Sequence, residues 1–66
     1  MNILLNGKTH SLDDDIYLHT LIEKLDLNGK RLAVEINREI VPKSKHEQYK
    51  IQDGDTVEIV FAIGGG

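Results

Sequence analysis

Only one stretch of this chain carries a helical period, and that limits how its remaining apolar segments can be covered. Leu18, Leu21, Ile22 and Leu25 recur at i, i+3, i+4 and i+7, the spacing that lines one face of an amphipathic helix. A helix of about two to three turns is expected here. Asp13, Asp14 and Asp15 precede it, where the positive end of the helix dipole favours acidic side chains. Asn28-Gly29 supplies a left-handed residue of the kind that stops helices.

The other apolar runs read as strands. Asn2 to Asn6 ends at Asn6-Gly7, the strongest two-residue hairpin signal, because both central positions of a type I′ turn require positive φ. The return strand is expected from Lys8 to about Leu12. In Leu32-Ala33-Val34-Glu35-Ile36 the alternation puts Leu32, Val34 and Ile36 on one face, and Asn37-Arg38 can turn the chain into a brief Glu39-Ile40-Val41 strand. Pro42 ends that strand, Lys43 to Tyr49 has no clear period and reads as a bend, and Gln52-Asp53-Gly54-Asp55 reverses the chain. A last strand is expected from Thr56 to about Ile63, with Val57, Ile59 and Phe61 facing the helix and Glu58, Val60 and Ala62 facing away. The order is α+β, with the first and last strands able to lie parallel at the middle of the sheet. Gly64, Gly65 and Gly66 have no side chains to pack and are expected to form a mobile tail, with residues 1–63 as the one domain.

Composition narrows the function. A chain of 66 residues has room for one core and buries only about 60% of the surface it exposes when unfolded, so a deep catalytic cleft is not expected. With no cysteine, it has no disulfide, no Cys-ligated zinc and no thiol nucleophile. A net charge of −3 gives no basic field for nucleic acid. No apolar run approaches the length of a membrane span, and Met1 leads straight into a strand-like segment, so a cytoplasmic location is expected.

Candidates for chemistry inside the domain are weak. His10, His19 and His46 fall on a strand, a helix and a bend, and are read as ordinary histidines with no partner at metal-ligand spacing. The Asp13 to Asp15 run lacks the alternating ligands of a calcium loop. Ser11 and Ser44 have no nucleophile context, and no helix follows Gly64 to Gly66 to make a phosphate loop. What remains is the α-carboxylate of Gly66 on a stalk without side chains. Such a stalk can enter a narrow channel, and its carboxylate becomes an electrophile once a partner enzyme transfers AMP to it from ATP. The plain alternative is an inert glycine end.

Taken together, Met1-Asn2-Ile3 with the following Asn-Gly, Leu21-Ile22-Glu23-Lys24-Leu25, Ala33 to Asn37, Ile40-Val41-Pro42, Gln52-Asp53-Gly54-Asp55, Val57 to Val60 and the triple glycine resemble the ThiS family over nearly the whole chain. That resemblance implies a ubiquitin-like β-grasp fold, a mixed sheet of four to five strands on one helix with a free Gly-Gly tail. It also implies a protein co-substrate, not an enzyme, with no bound cofactor. Gly66 would be adenylated by a ThiF-like adenylyltransferase and converted to a thiocarboxylate by a sulfur relay from a cysteine desulfurase. A ThiG-like thiazole synthase would then receive the sulfur for the thiazole ring of thiamine. Gly64 and Gly65 would give the tail its approach, and the free carrier would be a monomer. Lys43 and His46 depart from the family pattern, where arginine and an aromatic residue are common. A MoaD-like carrier and a ubiquitin-like modifier share the glycine end and stand as alternatives. On the strand alternation, Leu4, Ala33, Val60 and Ala62 point away from the helix and are expected to combine into an apolar patch that docks the partners.

Overall fold

The computed structural model describes residues 1–61. Five strands and one helix follow in the order β1 (Asn2–Leu5), β2 (Lys8–Ser11), α1 (Leu18–Lys24), β3 (Leu32–Ile36), β4 (Glu39–Ile40) and β5 (Thr56–Phe61), with a 3-10 turn at Lys43–Lys45 before β5. They form a single mixed sheet in the order β2-β1-β5-β3-β4. β1 pairs in parallel with β5, and all other pairings are antiparallel. This is the expected β-grasp arrangement, and its central strand is the last one.

Two hairpins frame the sheet. Asn6 and Gly7 take φ of 49° and 84°, and Asn37 and Arg38 take 53° and 70°, the paired positive values of type I′ turns. Asparagine tolerates this region better than most side chains, which is why it leads both turns. Leu12 lies beyond the end of β2, but its N–H still donates to the Met1 carbonyl at 2.7 Å.

The helix occupies one sheet face. Leu18, Leu21 and Ile22 are buried against Ile3, Leu5, Val34, Ile36, Val57 and Ile59, so the helical period and the strand alternation meet in one core. Both ends of α1 differ from the expectation. Asp13 to Asp15 stop short of the first turn: Tyr17 is the N-cap without a side-chain cap, and the first turn holds no acidic residue. The carbonyls of Tyr49 and His46 instead accept from the N–H groups of Leu18 and His19, both at 2.9 Å, so the bend before β5 does the capping. The three aspartates pair with cations: Asp13 with Lys24 at 3.6 Å, Asp14 with the Met1 amino group at 3.5 Å, and Asp15 with Lys50 at 2.7 Å. At the other end, the left-handed residue is Asp26, with φ of 60°, and not Gly29. Its N–H donates to the Glu23 carbonyl and that of Leu27 to Ile22, both at 3.0 Å, the bond pair of a Schellman motif. Gly29 serves the next turn, closed by Lys30 N–H donating to the Leu27 carbonyl at 3.1 Å.

Val57 and Ile59 face the helix as expected, but Phe61 is 52% exposed because the short α1 does not cover that end of β5. The expected continuation of β5 through Ala62 and Ile63, and the tail of Gly64, Gly65 and Gly66, lie outside the described residues. Among the described residues no helix is long and apolar enough to cross a membrane.

Candidate functional site

Three polar side chains fix β5, the strand that leads to the glycine end. Beyond the two registered residues that pair β1 with β5, the Asn6 side chain takes over the ladder. Its Oδ1 accepts from Ile59 N–H at 2.8 Å and its Nδ2 donates to the Ile59 carbonyl at 3.3 Å, so an amide side chain stands in for a strand residue. From the other hairpin, Asn37 Oδ1 accepts from Thr56 N–H at 3.0 Å, while Asn37 Nδ2 donates to Asp55 Oδ1 at 3.0 Å. Asp55 is buried, and its Oδ2 accepts from Gln52 N–H at 2.8 Å. In the same turn Asp53 Oδ1 accepts from Asn2 N–H at 2.8 Å, and Gly54 takes φ of 87°. The start of β5 is thus tied to β1 and to the β3–β4 turn at once.

The sheet face opposite the helix carries the described members of the expected docking set. Leu4, Ala33 and Val60 are all exposed there, whereas Ala62 lies outside the described residues. They do not form one patch. Ala33 and Val60 are cross-strand partners, but Leu4 pairs with Thr56, four residues before Val60 along β5, or about 13 Å away. Glu58 stands between, directly opposite Glu35, whose other neighbour on this face is Ile40. Ile40 is 70% exposed and was not singled out from sequence, because a two-residue strand shows no period to read. Like charges directly opposed across strands are destabilising, and among the described residues neither Glu35 nor Glu58 has a cation within ion-pair distance. The open face is therefore an acidic centre with apolar flanks.

The histidines differ from their sequence reading. His19 Nε2 lies 3.6 Å from Glu23 Oε2, so this histidine has a carboxylate at i+4. His46 is buried and its Nε2 is 3.0 Å from the Val41 carbonyl; a carbonyl can only accept, so that nitrogen carries the proton. Among the described residues no three His, Cys, Asp or Glu side chains are grouped so as to hold a metal ion. The perturbed titrations fall on Asp15 and Lys50 at the surface and on half-buried Tyr49. A hydrogen bond from the Lys50 ammonium, backed by its charge, lowers the Asp15 carboxyl, and the same contact raises Lys50. Burial raises the Tyr49 phenol, with the charges of Asp55 and Glu39 adding to it. Asp15, Tyr49 and Lys50 lie outside a cleft of about 680 Å³ on the helix side that is lined by Ile22, Leu27, Lys30, Arg31, Leu32 and Lys43 among others. His46 and Lys43 both border it.

A mixed five-stranded sheet on one helix, with the last strand at its centre and tied by side chains to both hairpins, defines a β-grasp domain. The chain matches the ThiS family over residues 3–66. It is 35% identical over 66 residues to the sulfur carrier protein ThiS of Escherichia coli (strain K12), covering all of both chains. It is 39% identical over 66 residues to a thiazole synthase of Paramagnetospirillum magneticum, of whose length it spans 20%. The crystal structure of the thiamine biosynthesis protein ThiS from Geobacter metallireducens superposes with a TM-score of 0.87 at 29% identity, covering both chains completely. The chain belongs to the ThiS family.

Proposed function

We propose that this protein is a sulfur carrier for thiamine biosynthesis that holds its sulfur as a thiocarboxylate on Gly66. The observation that carries the reading is the end-to-end similarity to the sulfur carrier of Escherichia coli. The carboxylate of Gly66 attacks the α-phosphorus of ATP on a ThiF-like adenylyltransferase, and pyrophosphate leaves. A sulfur nucleophile, supplied from a cysteine desulfurase, then attacks the acyl carbon and AMP leaves. Gly64 and Gly65 let the backbone approach nucleotide and nucleophile without a side chain in the way. The acceptor is a ThiG-like thiazole synthase, a reading supported by the thiazole synthases in which a segment similar to this chain makes up 20% of the length. The carrier works as a monomer in the cytoplasm, where ATP and these enzymes meet.

Intact mass after incubation with ATP, the adenylyltransferase and the sulfur donor tests this. The full chain is expected to gain the mass of one oxygen exchanged for one sulfur, and a chain lacking Gly65 and Gly66 to gain nothing. No gain by the full chain with an enzyme active on its own carrier rules the reading out.

The docking surface in this proposal is centred on the cross-strand pair Ala33 and Val60, and Leu4 stands apart from it beyond Glu58. Val60 is 59% exposed, so Val60→Asp leaves the core untouched. It places a charge in an apolar contact and adds to Glu58, and adenylation is expected to slow by about tenfold or more. Unchanged kinetics of the folded variant would remove Val60 from the interface.

A further inference from the structure

The cleft on the helix side combines an apolar floor with a basic rim. Its floor is apolar, made by buried Ile22 and half-buried Leu27 and Leu32. Its rim carries Lys30, Arg31 and Lys43, all exposed, against the single carboxylate of Glu47, on a chain whose net charge is −3. Among the described residues the three rim cations form no ion pair, and they stand together on one cleft. The place matters as much as the charge. Leu32 is the cross-strand partner of Phe61, so the cleft opens beside the last described residue of β5. A protein that works on residues beyond Phe61 has this cleft within reach.

We propose that the cleft is a second docking site, which takes an acidic segment carrying a large apolar side chain on one of the enzymes that act on Gly66. This rests on the carrier reading above. An apolar side chain fills the floor over Ile22, Leu27 and Leu32, while carboxylates on either side of it meet Lys30, Arg31 and Lys43. A free phosphate would satisfy the rim alone and gain nothing from the floor, and about 680 Å³ is far more room than it needs. The open sheet face has the opposite sign, with Glu35 and Glu58 at its centre, so the two sides of the sheet select partners of different charge. A carrier handed from one enzyme to the next can then be recognised by each on its own side.

The test compares the full chain with Lys30→Glu/Lys43→Glu, two exposed substitutions that leave the core alone. Binding to the adenylyltransferase and to the thiazole synthase is measured over a salt series, and amide shifts of the full chain are followed on titration with a peptide of alternating Glu and Leu and, separately, with pyrophosphate. Expected are saturating shifts at Lys30, Arg31 and Lys43 with the peptide but not with pyrophosphate, and for one of the two enzymes about a tenfold loss of affinity with a shallower salt dependence in the variant. Unchanged affinity for both enzymes, no saturating shifts with the peptide, or equal shifts with pyrophosphate would overturn the proposal. If the full chain never gains sulfur, the carrier reading fails by itself, and the peptide titration still decides what the cleft binds.

Discussion

Leu18→Ala is expected to lower the midpoint of the cooperative thermal transition in circular dichroism by about 10–30 °C. Leu18 is fully buried at the start of α1, in the layer between helix and sheet. Removing a buried leucine side chain costs about 2–5 kcal/mol, through lost transfer energy and the cavity left behind. At roughly 0.05–0.15 kcal/mol per residue, a domain of this length has only about 3–10 kcal/mol in total. With no cysteine there is no disulfide to make up the difference. Leu18→Met, which keeps the volume, is expected to cost less than about 1.5 kcal/mol and to stay folded. A Leu18→Ala protein that melts within a few degrees of the parent would show that α1 contributes little to the core.

Asp55→Asn is expected to cost about 1–3 kcal/mol although it changes one atom. The reason is the direction of every hydrogen bond around it. At one end Gln52 N–H donates to Asp55, and at the other Thr56 N–H donates to Asn37, with the Asn37 amide donating back to Asp55 between them. Two backbone donors terminate this chain, and an amide in the middle must accept once and donate once. Position 55 therefore has to accept on both of its terminal atoms, which a carboxylate does and an amide, with one oxygen and one NH2, cannot. Turning Asn37 over only moves the clash to Thr56. Chemical denaturation of Asp55→Asn beside Asn37→Ala measures this, and the double variant is expected to lose less than the two single losses added together. Strict additivity would mean that the relay is not coupled.

What was legible from sequence was whatever a period or a turn chemistry records. Leu18, Leu21 and Ile22 announced the helix, Asn6-Gly7 and Asn37-Arg38 the hairpins, and the strand alternation the face on which Leu4, Ala33 and Val60 stand. Positions decided by distant neighbours were not legible. Asp26 takes the left-handed position that ends the helix, and nothing in its local sequence outranks Asn28-Gly29 as a stop. Asp13 to Asp15 read as a dipole-stabilised start, but Leu18 and His19 N–H find the carbonyls of Tyr49 and His46, some thirty residues on. Phe61 carries the right alternation and still stays exposed, since α1 is only 7 residues long. Leu4, Ala33 and Val60 stand on the open face of the sheet, but not side by side. Which residues stand side by side depends on strand register, and the register that puts Glu58 between Leu4 and Val60 cannot be seen along one strand. The cleft brings the turn after α1 next to the bend before β5, a meeting that no short window contains.

The parallel pairing of β1 with β5 has a mechanical consequence. A partner that grips the chain past Phe61 and draws it into a channel pulls β5 along its own length, while the domain resists through β1 on one side and β3 on the other. The bonds from Leu4 to Asp55 and from Asn6 to Val57, and the side-chain clasp of Asn6 on Ile59, lie across that direction. They take the load together as a shear, whereas a hairpin pulled at its open end gives way one rung at a time. The strand leading to the glycine end is in this way the one best placed to be tugged without the fold coming apart.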